Sequence, residues 1–286
     1  MPSLIDIRRR IRSVKNTQQI TKAMKMVSAA KLRKAQDRVI AARPYARILE
    51  NMLANVAAAA GGNERVMSEP LLARRPEKRV QMILMTADRG LAGAFNGNLI
   101  KGAQVFAAEH PGVEISYELV GRKGRDFFRR RNAVVTGEHI GIFNKVQLAS
   151  ATAIAKGAAS RFAQGETDAV YLLYNEFKSV VSQKITLKKL LPITLPEHAG
   201  TIDYIYEEPP EELLGSLLPN YVENAIFSAM LESVSSEHAA RMTAMDAATT
   251  NASEVIEKLT LYMNRVRQAS ITKEIIEVVS GAAALE

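Results

Sequence analysis

The stretch RRRIRSVKNTQQITKAMKMVSAAKLRKAQDR, Arg8–Arg38, decides the fold because it carries a long helical pattern whose apolar stripe is interrupted by polar residues. A heptad stripe with alternating spacings of three and four runs from Leu4 to Val14 and resumes from Leu32 to Val56 in the same register. Between the two runs, that register falls on Gln18, Thr21, Lys25 and Ser28. A stripe of this length predicts a partner helix, with a weakened seam in its middle.

The same stretch carries an unusual charge. Residues 1–47 contain thirteen Lys and Arg but only two acids, an excess of +11, whereas the whole chain has a net charge of +8, so the remaining residues carry −3. Apolar side chains in the polar stretch move to Ile20, Met24 and Val27, on another side of the helix. A cationic helix with few interleaved acids favours an acidic partner, and we expect the polar stretch to face one.

The C-terminal segment predicts a second long helix. After Pro209 and Pro210 the pattern EELLGSLLPNYVENAIF continues to the end of the chain as about 70 residues, on the order of 100 Å of helix. Since both terminal helices leave one central domain, they must pair antiparallel, and the shorter one covers the longer one only to about Arg265. Beyond that point we expect an unpartnered apolar end that another molecule must bury.

The centre of the chain alternates short apolar runs with helical stretches, which predicts a three-layer α/β domain of Rossmann-like type. The predicted strands are VQMILMT, VEISYELV, AVYLLY, SQKITLKKLLPI and IDYIYEE. The predicted domains are the N-terminal coiled-coil helix 1–60, a Gly- and Pro-containing linker 61–78, the α/β domain 79–208, and the C-terminal coiled-coil helix 209–286, which pairs with 1–60.

The sequence lacks the usual motifs of catalytic, metal-binding and nucleotide-binding sites. The chain has no cysteine, its four histidines lack metal-ligand spacing, and no P-loop motif occurs. The loop TADRGLAGAFNGN, Thr86–Asn98, follows a strand and opens a helix, but its glycines do not form a dinucleotide-binding pattern, so a tight structural turn is the better interpretation, with Asp88 and Arg89 in a salt-bridged turn. We therefore predict a non-catalytic protein without a cofactor.

Nucleic-acid binding is the alternative account of the basic helix, because RRRIR ahead of a heptad is typical of a basic region that feeds a zipper. Two features oppose it: no aromatic residue precedes Tyr45 to stack on bases, and the partner helix is supplied by the same chain. We expect no nucleic-acid partner and, since no apolar run is long enough for a span, no membrane insertion.

Four blocks resemble the gamma subunit of bacterial F-type ATP synthase, in the order found in that family. They are NTQQITKAMKMVSAAKLRKAQ (Asn16–Gln36), TADRGLAGAFN (Thr86–Asn96), EHAARMTAMDAATTNA (Glu237–Ala252) and RQASITKEIIEVVSGAAAL (Arg267–Leu285). The resemblance implies a central rotor shaft that couples proton-driven or sodium-driven rotation of a membrane ring to conformational changes at catalytic beta subunits. It also implies partners, namely the alpha and beta subunits, the epsilon subunit and the c subunits of the rotor ring, and a peripheral location on the cytoplasmic face of the bacterial plasma membrane.

The resemblance also implies roles for particular residues. The beta-subunit lever contact maps to Arg8, Arg9, Lys22, Met24, Lys25 and Arg33. The beta-subunit catch maps to Arg267, Gln268, Thr272 and Glu274, and the rotor-ring contact to Tyr204, Tyr206 and Glu207. The chain departs from the family pattern at two positions: many members have Glu in place of Lys25 and Cys in place of Ala92.

Overall fold

The computed structural model describes residues 3–60, 69–194 and 207–283. Its elements are α1 (Leu4–Ala59), a 3-10 turn (Pro70–Leu72), β1 (Arg79–Met85), α2 (Phe95–Glu109), β2 (Glu114–Val120), α3 (Arg122–Arg129), β3 (Val134–His139), a second 3-10 turn (Ile142–Asn144), α4 (Leu148–Ala163), β4 (Ala169–Phe177), β5 (Gln183–Leu191) and α5 (Pro210–Ala283). By compactness the chain forms two units: the paired-helix unit, Met1–Ser28 with Met242–Glu286, and the α/β unit, Ala29–Arg241.

The terminal helices are as long as the heptad patterns predict. The first, α1, has 56 residues and continues through Pro44, and α5 has 74 residues and continues through Pro219. An internal proline removes one backbone hydrogen bond, and the apolar stripe on either side of Pro44 keeps α1 helical there. The domain bounds predicted from the sequence stay a prediction, because the compact units divide both helices.

The α/β unit is built on a five-stranded sheet in the order β3-β2-β1-β4-β5. Strands β1 to β4 are parallel to their neighbours, and β5 pairs antiparallel with β4. The central strand β1 is buried along all but its first residue, as expected of a strand covered on both faces.

Successive side chains of β1 point to opposite faces of the sheet, so the core has two layers. Met82 and Leu84 point to one face, where Leu99 and Phe106 of α2 and Phe128 of α3 cover them. The other face carries Ile83 and Met85, and it packs with α4 and with the parts of α1 and α5 that belong to this unit, including Leu53 and Leu218. Helices on both faces of a mostly parallel sheet confirm the predicted three-layer α/β architecture.

One strand of the sheet was missed from the sequence, and one expected strand lies mainly outside the described residues. Strand β3, Val134–His139, was missed; it is an edge strand whose side chains are exposed or only half-buried, and Gly137 interrupts its apolar pattern. The predicted strand IDYIYEE lies mainly in 195–206, outside the described residues, and its last two residues, Glu207 and Glu208, form a bend.

Candidate functional site

The paired-helix unit is held by a polar seam, which we define as Gln18, Thr21 and Lys25 of α1 with Ser253, Thr249 and Asp246 of α5. Three contacts join these residues in turn: Gln18 Nε2 donates to Ser253 Oγ at 2.6 Å, the Thr21 and Thr249 hydroxyl oxygens lie 2.8 Å apart, and Lys25 Nζ donates to Asp246 Oδ1 at 2.5 Å. Because the α5 numbers fall as the α1 numbers rise, the two helices run antiparallel. The predicted antiparallel pairing is confirmed.

The polar stretch of α1 therefore keeps its heptad register. Thr21 and Ser28 are buried and share the heptad position of Ile7, whereas Gln18 and Lys25 are half-buried and share the heptad position of Ile11. At these positions hydroxyl, amide and ion-pair contacts to α5 replace the apolar contacts, so this side of the helix faces α5, and a contact between the basic residues of the stretch and an acidic partner stays a prediction. Interhelical polar pairs of this kind fix the register of a coiled coil at some cost in stability.

The outer surface of α1 has a different composition. Ile20, Met26 and Val27 are more than half exposed, and Met24 is half-buried. Their exposure confirms that the apolar side chains of the polar stretch move to another side of the helix. Arg8, Arg9 and Lys22 are exposed as well, so this surface combines positive charge with isolated apolar side chains.

The predicted lever residues thus fall into two groups. Lys25 is engaged with Asp246, although 41% of its side chain remains accessible, whereas Arg8, Arg9 and Lys22 are exposed and Met24 is half-buried. Arg33 is exposed on the α/β unit's part of α1. Sequence reasoning missed Asp246, which the antiparallel register, once known, places opposite Lys25.

The predicted catch residues lie on α5 near its C-terminal end. Arg267, Gln268, Thr272 and Glu274 are all exposed. Thr272 Oγ1 donates to the Gln268 carbonyl at 3.0 Å, and Ser270 Oγ donates to Glu274 Oε1 at 3.3 Å. From Ile271 to Gly281 every residue is exposed, including Ile275, Ile276, Val278 and Val279. The expected unpartnered apolar end is present.

Of the predicted rotor-ring contacts, Tyr204 and Tyr206 lie outside the described residues, and Glu207 is exposed. Among the described residues no group of three or more His, Cys, Asp or Glu side chains is arranged to hold a metal ion. Within the same residues, no helix has the length and apolar content to cross a bilayer.

The α/β unit fills its own ligand crevice. In doubly wound sheets ligands bind at the carboxyl ends of the strands, where the strand order reverses; here that point lies between β1 and β4. Helix α5 occupies this edge: Ser236 Oγ donates to the Asn175 carbonyl at 3.1 Å, and Arg241 Nη2 donates to the Gly90 carbonyl at 3.3 Å. Arg241 also pairs with Glu237 at 2.7 Å, and both side chains are about nine-tenths buried.

Burial dominates the electrostatics at this edge. Burial raises the pKa of Glu237, and the charge and hydrogen bond of Arg241 oppose that rise. Burial also lowers the pKa of His238 to about 4, with smaller contributions from Arg241 and Lys31. The segment SVSSEHAAR of α5 thus packs at the edge of the sheet where a ligand would otherwise bind. Its row of small polar residues in an otherwise apolar helix could have indicated this role.

The Gly-rich loop after β1 is structural in the same way. The carboxylate of Asp88 accepts the backbone N–H groups of Arg122 at 3.0 Å and Gly141 at 2.9 Å, so it links three loops and caps the start of α3. The predicted salt bridge with Arg89 is wrong, because Asp88 is bound by backbone amides. The loop is thus tied to its neighbours by its own carboxylate, which supports the interpretation as a structural turn.

An antiparallel pair of long terminal helices, attached to an α/β unit whose ligand crevice is occupied by its own helix, defines a class of structural shaft or stalk proteins. Comparisons with known proteins identify the family. A family model described as ATP synthase matches residues 3–285. The chain is 66% identical over 286 residues to the ATP synthase gamma chain of Solibacter usitatus and 52% identical over 289 residues to that of Pelotomaculum thermopropionicum, with full coverage of both chains in each case.

Solved structures agree at the level of the fold. The central stalk and c-ring structure of the Tetrahymena thermophila mitochondrial ATP synthase matches with a TM-score of 0.63 at 25% identity, covering 80% of this chain and 99% of that one. A chain of the Euglena gracilis mitochondrial ATP synthase matches with a TM-score of 0.68 at 20% identity, covering 99% and 94%. This protein belongs to the ATP synthase gamma chain family.

Proposed function

We propose that the chain is the central rotor shaft of an F-type ATP synthase. It would couple rotation of the membrane ring, driven by protons or sodium ions, to conformational changes at the catalytic beta subunits. The observation that carries this proposal is the antiparallel pair of terminal helices with an exposed apolar end, in a chain that matches gamma chains over its whole length. Family membership also accounts for the cationic helix, so the nucleic-acid alternative is set aside.

The mechanism follows from the surface of the paired-helix unit. A rotating shaft acts on its neighbours when the two contact different faces of it in turn, so that each orientation favours a different conformation of the neighbour. Exposed Arg8, Arg9 and Lys22 can attract an acidic lever on a beta subunit through water and over several Å. Such contacts form and break more easily than interlocked apolar packing, which must be disrupted at every step.

The proposed lever contact comprises Arg8, Arg9, Lys22, Met24, Lys25 and Arg33, with a qualification for Lys25. Its ammonium group already has the Asp246 carboxylate as a partner, so it offers less net charge to a second molecule than the exposed arginines do. We infer that Arg8, Arg9 and Lys22 make the main electrostatic contribution, and that Lys25 acts mainly by fixing the register of the two helices.

The catch and the end of the shaft lie on the exposed part of α5. The side chains of Arg267, Gln268, Thr272 and Glu274 are exposed and can contact a polar loop of a beta subunit. The exposed apolar residues from Ile271 to Val279 require a covering molecule, and an apolar sleeve formed by the alpha and beta subunits would supply it. Tyr204, Tyr206 and Glu207 are proposed to contact the rotor ring, with the epsilon subunit as a further partner.

The chain itself is proposed to perform no chemistry and to act peripherally at the cytoplasmic face of a bacterial plasma membrane. Occupation of the sheet crevice by α5 supports the first point. The purified chain should therefore hydrolyse no ATP at a rate above background. Turnover that persists through repeated purification and scales with the amount of chain would contradict the proposal.

The decisive experiment is co-purification followed by charge reversal. A tagged chain expressed in its native background should retain two related P-loop subunits and a membrane ring, and absence of both would overturn the shaft role. Within that complex, Arg8→Glu with Arg9→Glu should reduce coupled ATP synthesis, whereas the matched control Lys101→Glu with Arg130→Glu changes the charge by the same amount at exposed positions of the α/β unit and should not. An equal loss of ATP synthesis in the two double variants would contradict the electrostatic lever contact.

A further inference from the structure

A cleft of about 520 Å³ opens in the α/β unit, away from the residues assigned above to the lever, the catch and the rotor ring. Its walls come from α1 between Val39 and Glu50, from α5 between Tyr221 and Glu232, and from the strands β4 and β5. Small side chains, among them Ala42, Ala46, Ala225 and Ala229, leave room between the two helices. The cleft belongs entirely to one compact unit.

Two polar atoms of residues that line this cleft are buried without a hydrogen-bond partner among the described residues. They are the Ser228 hydroxyl oxygen and one carboxylate oxygen, Oε2, of Glu232. The carboxylate of Glu232 also accepts a backbone N–H from Phe177. A buried acceptor without a donor costs free energy that a suitable ligand recovers on binding.

The surroundings of Glu232 favour a positively charged donor. Burial raises the pKa of Glu232, and the neighbouring Glu176 carboxylate raises it further. Burial and these two acids also raise the pKa of Tyr174. A cation that entered between the two carboxylates would relieve both the missing hydrogen bond and the repulsion between like charges.

The cleft already binds ammonium groups of its own chain. Lys178 Nζ lies 2.5 Å from Glu176 Oε1, and Lys188 Nζ lies 5.5 Å from the centre of the Tyr221 ring. Carboxylates and tyrosine rings are the groups that recognise organic cations. The charges of Arg43 and Lys178 lower the pKa of Glu232 and so oppose the effect of burial, but none of these basic side chains donates a hydrogen bond to its Oε2.

An anionic ligand fits less well. Arg43 and Arg47 at the rim are exposed and can remain solvated without a ligand. An anion bound to them would lie near Glu176 and Glu232, would add to the negative charge there, and would donate no proton to Oε2 of Glu232. The two acceptors without a hydrogen-bond donor, Ser228 Oγ and Glu232 Oε2, therefore favour a cation over an anion.

We propose that this cleft binds an alkylammonium or guanidinium group, with Glu232 and Ser228 as its acceptors and Tyr174 as its neighbouring ring. The group comes either from a free small amine or from a Lys or Arg side chain of a partner subunit. The site is independent of the rotor role, since none of these residues belongs to the lever, the catch or the rotor-ring contact.

Calorimetric titration of the purified full-length chain with agmatine tests the proposal. Wild type should bind, and Glu232→Gln should weaken binding about tenfold or more, because a hydrogen bond to a charged group is lost. Ser228→Ala should weaken it less. Glu254→Gln, which removes an exposed acid from the same helix, is the matched control and should leave binding unchanged. Succinate serves as the anionic probe and should not bind.

A second measurement separates a specific role of Glu232 from a general loss of structure. At an acidic pH near the ordinary pKa of a glutamate, where the raised pKa leaves Glu232 largely protonated in the free protein, cation binding should release protons, which titration in buffers of different ionisation enthalpy detects. Proton release should disappear in Glu232→Gln even at saturating agmatine. Absence of agmatine binding, equal binding by wild type and Glu232→Gln, or tighter binding of succinate would overturn the proposal.

The source of the cation is identified by repeating the titration with the assembled complex. Agmatine binding that persists in the complex assigns the site to a free small amine. Binding by the isolated chain that is lost in the complex assigns it to a basic side chain of a partner subunit. Failure of the co-purification experiment would leave the result for the isolated chain unaffected.

Discussion

The two compact units contain consecutive parts of the same helix in the same heptad register, and they differ in what fills that register. In the α/β unit, α1 presents Ala35, Val39, Leu49 and Leu53, all buried in a continuous apolar core. In the paired-helix unit the apolar stripe Leu4–Val14 gives way to Gln18, Thr21 and Lys25, which meet α5 through hydrogen bonds and an ion pair. The repeat thus determines which side of the helix is covered, and the residue type determines how strongly that side is held.

Polar groups themselves differ between the two units because their burial differs. Glu118 in the α/β unit has a side chain only 5% exposed, and it accepts hydrogen bonds from Arg161 at 2.6 Å and Gln81 at 2.9 Å and contacts His139 Nε2 at 2.7 Å. Asp246 in the paired-helix unit is 57% exposed and has one ionic partner. Water screens the second pair and not the first, so we expect very different contributions to stability.

The largest expected effect is that of Glu118→Ala. This substitution leaves Arg161 without its buried carboxylate and should lower the free energy of unfolding by about 3–5 kcal/mol at pH 7. Asp246→Ala, the counterpart in the paired-helix unit, should cost less than about 1 kcal/mol. Urea unfolding of the purified variants measures both. Similar losses of unfolding free energy for the two variants would mean that burial does not make the carboxylate of the α/β unit more stabilising than that of the paired-helix unit.

The contribution of Glu118 should depend on pH. Burial alone would raise the pKa of Glu118, but hydrogen bonds from His139 and Thr136 and the charge of Arg161 outweigh burial and hold the pKa below its ordinary value. Because the folded pKa is the lower one, the stabilisation is present above the unfolded pKa and is lost as the pH falls through the folded pKa. The stability gap between wild type and Glu118→Gln should therefore narrow on acidification; a constant gap would argue against an ionised Glu118.

The next effect concerns the apolar part of the register. Leu53 is 1% exposed in the core of the α/β unit, and Leu53→Ala should cost about 2–5 kcal/mol through lost burial and a residual cavity. Ile48 on the same helix is 57% exposed, so Ile48→Ala should stay within about 0.5 kcal/mol of wild type. Thermal unfolding of the two variants checks the difference, and equal shifts would contradict the assigned register of α1.

A smaller effect is expected for the ion pair of the polar seam. Lys25→Glu places like charges opposite each other and should cost about 1 kcal/mol or less, because both side chains are well exposed. The charge swap Lys25→Glu with Asp246→Lys should recover most of that loss, in stability and in coupled synthesis by the complex. A failed rescue would show that the ion pair of Lys25 with Asp246 does not account for the effect of the single substitution.

The smallest effect is expected at the hydroxyl pair. Replacing both Thr21 and Thr249 by Val removes the 2.8 Å contact but preserves the shape of the seam, so the change in stability should be within about 1 kcal/mol of zero. Substituting Thr21 alone should cost more than the double change, since it leaves the Thr249 hydroxyl with one partner fewer. A double-mutant cycle measures this coupling, and strict additivity would argue against contact between the two hydroxyls.

Several features could be predicted from local patterns. The heptad spacing of Leu4–Val56 predicted both the existence of α1 and the side that faces a partner, and the short apolar run VQMILMT predicted the buried central strand. These predictions succeed because helix and strand periods are properties of neighbouring residues. The edge strand β3 escaped prediction since a partly exposed strand carries little apolar periodicity, and Glu118 escaped since its partners are distant in sequence.

By itself, the sequence determined that two long helices must pair antiparallel, that positive charge is concentrated on the first, and that the end of the second is apolar. Only the tertiary structure decided which polar residues face each other. Lys25 reads equally well as a free cation or as half of an ion pair until the register of α5 brings Asp246 to it. The reason is physical: periodicity fixes the direction in which a side chain points, but its partner depends on how a helix more than 200 residues further along the chain is aligned with the first.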